Sequence, residues 1–298
     1  MGRQLDGIHP DLRRQARFLP SGAFTATTIP LLRGVTRLME RRVPDSVTRV
    51  KLPSGGAVRV HRTARSADDG PALLWMHGGG YVIGSAAQDD GLCARFAAAL
   101  GITVVSVDYR LAPRNPYPAA LDDCHEALVW AAELPGVDAE NIVIAGASAG
   151  GGLTAALALA ARDRGVVTPR FQVLVYPMVD DRAPGSASRD DPRYRMWNPR
   201  SNDLGWKAYL RGADPTVAAP ARRTDLAGVA PAWIGVGSLD PLHDEDIAYA
   251  YALRAAGVSC DVDVVDGAFH GFDAVAPKAP VSVSFFERQC EVIRAALG

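Results

Sequence analysis

Ser148 lies in Gly146-Ala147-Ser148-Ala149-Gly150, after the apolar run Asn141-Ile142-Val143-Ile144-Ala145 and before the alanine- and leucine-rich run from Leu153 to Ala161. That order reads as strand, sharp turn, helix, and a serine on such a corner exposes its hydroxyl as a nucleophile. The flanking glycines let the backbone turn tightly and let helix and strand approach closely. The same string also suits an ordinary strand-to-helix connection, so its chemistry depends on partners elsewhere in the chain.

A nucleophilic serine needs amides for the developing oxyanion, a base and an acid that orients the base. An apolar strand, Ala72-Leu73-Leu74-Trp75-Met76, ends in His77-Gly78-Gly79-Gly80. Successive glycines leave backbone N–H groups free to converge on one spot, and the N–H of Ala149 adds another donor. A flexible loop or a phosphate cradle is the competing reading, but no Gly-Lys-Ser/Thr follows. His77 reads as a structural residue that pins this loop. The base belongs C-terminal to the serine, after a late strand. His270, on the Gly-flanked loop after Val262–Val265, meets that requirement. His9 and His61 come too early, His125 sits in a helical pattern, and His243 lies beside the candidate acid. For the acid, Asp240 follows the strand Trp233–Val236, with Pro241 placed to begin a helix. Asp240 as a plain helix cap is the bland alternative. Asp244 and Glu245 compete for the role, although first-turn carboxylates are commonly solvated.

Five strings, in order, resemble the hormone-sensitive-lipase-like branch of the α/β-hydrolases. They are His77-Gly78-Gly79-Gly80, Asp108-Tyr109-Arg110-Leu111-Ala112-Pro113, Gly146-Ala147-Ser148-Ala149-Gly150-Gly151, Asp240-Pro241-Leu242 and His270-Gly271-Phe272. The resemblance covers roughly Leu73 to Phe272. It implies Ser148 as nucleophile, Asp240 as acid and His270 as base. It implies an oxyanion hole at Gly78, Gly79, Gly80 and Ala149, with Gly79, Gly80 and Ala149 as N–H donors and Gly78 shaping the loop. It also implies short- to medium-chain acyl esters as substrates and a homodimer as the assembly. Two positions depart from the family pattern: Ala147, where Asp is frequent, and Arg114, where Glu is frequent.

Positioning these groups requires a sheet. Strands are predicted near Val47–Leu52, Ala57–Arg62, Ala72–Met76, Ile102–Val107, Asn141–Ala145, Phe171–Tyr176, Trp233–Val236 and Cys260–Val265, with helices in most gaps. The first two make an antiparallel hairpin around Pro53-Ser54-Gly55-Gly56, and the rest make a mostly parallel, eight-stranded sheet flanked by helices. Ser148, Asp240, His270 and the Gly79 loop all follow strand ends, where such sheets place their sites. The expectation is an α/β-hydrolase fold with a helical cap. Residues 1–45 supply N-terminal cap helices, one starting near Pro10-Asp11-Leu12 and one carrying Leu31, Leu32, Val35, Leu38 and Met39. Residues 46–298 form the catalytic domain, with a second cap insertion at about 180–212 holding a helix over Asn202–Leu210. Trp197, Trp206 and Tyr209 in that insertion either line the substrate pocket or pack within the cap. Asp108 and Arg110 are expected to bond nearby backbone and each other.

The bulk properties exclude several classes. A net charge of −1, with only short basic clusters such as Arg13-Arg14 and Arg41-Arg42, gives no reason to expect nucleic acid. No uninterrupted apolar stretch of about 18 residues is present, so no spanning helix and no membrane partner is expected. The start of the chain lacks a secretory core. Cys93, Cys124, Cys260 and Cys290 have no C-x-x-C spacing and read as reduced thiols of a cytoplasmic protein. Asp180-Asp181 reads as solvated or arginine-paired, so no metal and no cofactor is expected. Gly150-Gly151-Gly152-Leu153-Thr154-Ala155 matches a dinucleotide fingerprint, but the next strand ends in Tyr176-Pro177 without the required acid. The remaining rivals are an amidase or carbamate hydrolase with the same triad, and a non-catalytic binding protein on this scaffold. The presence of His270 argues against the last.

Overall fold

The central strands are apolar on both faces, which only a sheet covered by helices on both sides accommodates. In the computed structural model, which describes residues 5–25, 27–66, 69–182 and 191–298, that sheet has eight strands. They are β1 (Val47–Lys51), β2 (Ala57–His61), β3 (Gly70–Met76), β4 (Thr103–Asp108), β5 (Val137–Ala147), β6 (Phe171–Val175), β7 (Ala232–Gly237) and β8 (Cys260–Val265). Their order is β1-β2-β4-β3-β5-β6-β7-β8. β2 runs antiparallel to both β1 and β4, and every other pairing is parallel. All eight predicted strands are present. β5 begins earlier than its apolar run suggests.

Helices α3 (Asp90–Leu100), α4 (Ala119–Ala132), α5 (Ala149–Arg164), α8 (His243–Ala255) and α10 (Pro280–Leu297) cover the sheet, and the short α7 (Pro215–Ala218) and α9 (Phe272–Val275) lie in its connections. The chain passes from β3 to β4 on one side and returns to β5 on the other, so β3 and β5 are neighbours whose outgoing loops diverge. A crevice opens at such a switch point, and here the loop after β3 meets the turn after β5. The register Met76↔Gly146 places the two strand ends side by side.

The start of α5 shows how sequence serves this meeting. Glycine inside a helix costs about 1 kcal/mol relative to alanine, yet Gly150 stands in its first turn. A Cβ on Gly150 would lie 2.1 Å from the Met76 carbonyl oxygen and 2.5 Å from that of His77. The helix touches the β3 backbone there, and no other residue fits.

The segments outside the sheet meet each other. Short α1 (Arg13–Ala16) follows a 3-10 turn at Pro10–Leu12, and α2 (Ile29–Glu40) is the second N-terminal helix. Arg195 Nε donates to the Ala16 carbonyl at 2.7 Å, Met196 N to that of Pro20, and Ser201 Oγ to that of Phe24. α6 spans Pro199–Leu210, three residues earlier than predicted. Asn198 caps it, its side chain accepting from Ser201 N at 2.9 Å, and Pro199 fills the first turn. Residues 183–190 of the expected 180–212 insertion lie outside the described residues, as do residues 1–4 of the N-terminal segment.

One local expectation is corrected. Arg110 pairs with Asp123 rather than Asp108: its Nη2 lies 2.8 Å from Asp123 Oδ1, and its backbone N donates to Oδ2. Asp108 instead accepts from Ala86 N and meets Arg49 at 3.4 Å. The Asp123 side chain is fully buried, so Arg110→Ala strands a carboxylate in the interior. We expect a stability loss of about 3 to 5 kcal/mol in denaturant titration; a loss under about 1 kcal/mol would show that the pair is immaterial.

Candidate active site

Ser148 stands between β5 and α5 with φ 58° and ψ −120°. A positive φ is strained for any residue with a Cβ and persists only where surroundings enforce it. The surroundings here are backbone bonds: Ser148 N donates to the Val175 carbonyl, and its own carbonyl accepts from Gly152 N and Met178 N. The hydroxyl is thereby held off the end of the sheet.

His270 follows β8 on a turn closed by Phe272 N donating to the Phe269 carbonyl. Its Nε2 lies 2.9 Å from Ser148 Oγ, and its Nδ1 lies 2.8 Å from Asp240 Oδ2. Asp240 sits in the turn between β7 and α8. Its second oxygen accepts from Leu242 N at 2.9 Å, which fixes the carboxylate plane. All three residues are at most 6% exposed. A carboxylate only accepts, so the proton between the two side chains resides on Nδ1, and Nε2 offers its lone pair to the serine. Pro241 does not begin the helix as expected: α8 starts at His243, and its N-cap is Leu242 rather than Asp240.

The competing acids are elsewhere. Asp244 is exposed and meets His243. Glu245, expected in solvent, is buried and accepts from Val179 N and Asp180 N. Burial raises its carboxyl well above the usual range, with those two N–H groups opposing. Asp180 pairs with Arg182 and Asp181 with Arg222, the arginine-paired alternative.

The glycine loop lies beside Ser148. Gly79 and Gly80 have φ 131° and 58°, a left-handed path that side chains disfavour. The Gly79 carbonyl is taken by Val82 N and Ile83 N, whereas the N–H groups of Gly79, Gly80 and Ala149 donate to no acceptor among the described residues. His77 holds this loop from below. It is fully buried, stacks on Tyr109 at 4.1 Å, and bonds the Gly78 carbonyl through Nδ1 at 2.8 Å. Burial pushes its pKa below the ordinary value, with the Gly78 carbonyl opposing, so it stays uncharged.

A cavity of about 820 Å³ opens over Ser148 and His270. Trp197 lines it, against Phe24 at 5.3 Å between ring centroids. Trp206 and Tyr209 do not; both are buried, and Tyr209 stacks on Tyr81 at 4.1 Å. Sequence reasoning missed three contributors. Tyr176 sets its ring edge-on to His270 at 4.8 Å, while Asp89 and Asp273 border the same space. The signal for Tyr176 was available, because it immediately follows β6 at the end that carries the site.

Comparisons with known proteins agree with this geometry. A family model described as the alpha/beta hydrolase fold matches residues 73–274, more than half of the chain. The carboxylesterase NlhH of Mycobacterium tuberculosis is 36% identical over 284 residues, covering 91% of this chain and 86% of that protein. Among solved structures, a bacterial heroin esterase superposes with a TM-score of 0.88 at 34% identity over 99% of each chain. The esterase LipW of Mycobacterium marinum gives 0.86 at 32% identity, covering 98% of this chain and 96% of that one. The chain belongs to the α/β-hydrolase fold family, in its hormone-sensitive-lipase-like branch.

Proposed function

We propose that this protein is a serine carboxylesterase that hydrolyses short- to medium-chain acyl esters through an acyl-enzyme. The observation that carries the reading is the unbroken relay from Asp240 Oδ2 through His270 to Ser148 Oγ, at 2.8 and 2.9 Å. Names of relatives such as NlhH and LipW point the same way.

The steps follow from the geometry. His270 Nε2 takes the Ser148 proton as Oγ attacks the ester carbonyl, and Asp240 balances the imidazolium. The carbonyl oxygen, now negative, accepts from the N–H groups of Gly79, Gly80 and Ala149. The imidazolium returns its proton to the departing alcohol oxygen, leaving an ester on Ser148. Water then attacks that ester with His270 again as base, and the carboxylic acid leaves.

The cavity volume falls within the range of small-ligand sites, which supports short acyl chains. With p-nitrophenyl esters from C2 to C16, we expect kcat/KM to peak at roughly C4–C8 and to fall steeply beyond. A fluorophosphonate probe should label Ser148. Failure of both labelling and hydrolysis would return the chain to a binding role on this scaffold.

Residues 1–45 and the 180–212 segment act together as a cap on the 46–298 hydrolase body, a reading supported by the bonds from residues 195–201 to the N-terminal segment. Cytoplasmic placement is supported by four buried, unbridged cysteines. No helix among the described residues is long and apolar enough to cross a membrane. Leu31, Val35 and Leu38 on α2 are exposed, which supports a homodimer, read by light scattering as a doubled mass. A monomer at micromolar concentration would remove that assembly.

A further inference from the structure

The cavity beside Ser148 carries charge that ester hydrolysis does not use. Asp89 and Asp273 both line it, half-buried, from opposite regions of the chain. Each is held by one aromatic donor: Trp75 Nε1–H donates to Asp89 Oδ2 at 2.7 Å, and the Tyr176 hydroxyl donates to Asp273 Oδ1 at 2.6 Å. Neither forms an ion pair among the described residues. Two other sheltered aspartates have an arginine partner, Asp90 with Arg59 and Asp123 with Arg110.

A sheltered carboxylate without a counter-ion is costly to keep ionised. Burial pushes Asp89 up to about 6; the Trp75 N–H opposes this, and Asp273 and Asp90 add repulsion. Burial raises Asp273 as well, against the Tyr176 hydroxyl and backbone N–H groups. A cation placed between them relieves both penalties.

A second observation points to a ligand in the same space. Ser282, in the first turn of α10, lines the cavity and is 2% exposed, yet its Oγ has no hydrogen-bond partner among the described residues. A buried hydroxyl without a partner is uncommon in a finished interior. The walls also suit a cation. Phe286 already carries the Arg95 guanidinium 4.0 Å from its ring centroid, and Trp75 and Tyr176 also line the cavity. The cavity's own cations, Arg95 and Lys278, are exposed, and water screens them.

We propose that Asp89, Asp273 and Ser282 form a subsite for a protonated amine on the alcohol part of the ester. The inference rests on the esterase reading. The alcohol side is indicated because His270 must hand its proton to the leaving oxygen, and Asp273 stands on the turn that carries His270. Tyr176 touches both residues. The substrate class is therefore amino-alcohol esters. The amine takes no part in the chemistry, and the products are the carboxylic acid and the protonated amino alcohol.

The test compares 2-(dimethylamino)ethyl butyrate with its neutral isostere, 3-methylbutyl butyrate, at pH 7.5. The readout is the ratio of their kcat/KM values in wild type, Asp89→Asn and Asp273→Asn. Asparagine keeps an oxygen for the Trp75 or Tyr176 donor and removes the charge. Expressed relative to wild type, the ratio cancels both the difference in leaving groups and any general loss of activity. We expect it to fall about tenfold or more in each variant, the usual scale for a charge-assisted bond. A smaller fall, about threefold, is expected for Ser282→Ala, which loses one neutral acceptor. If the ratio stays within about twofold of wild type in both aspartate variants while the neutral ester is hydrolysed, the amine subsite is wrong and the esterase reading stands. If wild type hydrolyses neither these esters nor p-nitrophenyl butyrate, the esterase reading fails and takes the subsite with it.

Discussion

Ser148→Ala should hydrolyse p-nitrophenyl butyrate on the order of 10⁶-fold more slowly than wild type, the scale seen when a serine hydrolase loses its nucleophile. The size of the effect follows from what remains. His270 and the three amides proposed to hold the oxyanion are unchanged, but no atom is placed to form the acyl bond. Water would have to attack an ester held for a different nucleophile. The residue on the elbow contributes almost nothing to folding through its hydroxyl, whose only partner among the described residues is His270 Nε2. The backbone bonds to Val175, Gly152 and Met178 do not involve the side chain. Alanine also bears the same φ 58° strain as serine, since both have a Cβ. Thermal unfolding should therefore be nearly unchanged, so the loss of rate cannot be blamed on an unfolded sample. A folded Ser148→Ala protein with more than about a tenth of wild-type turnover would require another nucleophile, and the proposed mechanism would not survive it.

Much of this site was legible before any coordinates, for specific physical reasons. β3, β7 and the Ile142–Ala145 stretch of β5 are nearly unbroken apolar runs because both their faces are covered, and a glycine lies within two residues of each strand's last residue. Ser148, Asp240 and His270 follow the ends of β5, β7 and β8, so chain order and strand ends together point to them as the proposed triad. The errors fall where burial and chain direction part company. β5 begins at Val137 because Val137 already pairs with Gly70, but Asp138–Glu140 fall in a register irregularity and are half-buried or exposed, which hides the strand from an apolar pattern. α6 begins at Pro199, and the Asn198-Pro199 pair carried that signal in cap chemistry rather than periodicity. Trp197, Trp206 and Tyr209 share one segment, yet only Trp197 faces the cavity. Which face of a helix looks inward depends on the partner element, and Tyr81 is what covers Trp206 and Tyr209. Asp89 and Asp273 lie 184 positions apart in the chain (273 − 89). Only the switch-point crossing brings them to one cavity, and neither sits in a string that marks it.

Asp240→Asn should lower kcat about 10⁴-fold while leaving the fold intact, the magnitude associated with a wrong histidine tautomer. The argument is one of donors and acceptors. Asp240 spends Oδ1 on Leu242 N and Oδ2 on His270 Nδ1. An asparagine can offer its oxygen to only one of these. The Leu242 N–H is a fixed backbone donor with no alternative orientation, so the amide oxygen stays there and the NH₂ turns toward His270. Nδ1 must then accept, the ring proton moves to Nε2, and Nε2 can no longer take the Ser148 proton. The Asp240 side chain is fully buried, so no water relieves the mismatch. The two nearby acids provide the control. Asp244 is exposed beside His243, and Glu245 faces the backbone of Val179 and Asp180. Asp244→Asn should keep wild-type turnover within about threefold, as expected for an exposed ion pair. Glu245→Gln should act on stability more than on rate, because it retains an acceptor for the same two amides. If Asp240→Asn kept near-wild-type kcat and Glu245→Gln abolished it, the orienting acid would be Glu245, and the histidine would have to reach it by a rearrangement of the turn between β7 and α8.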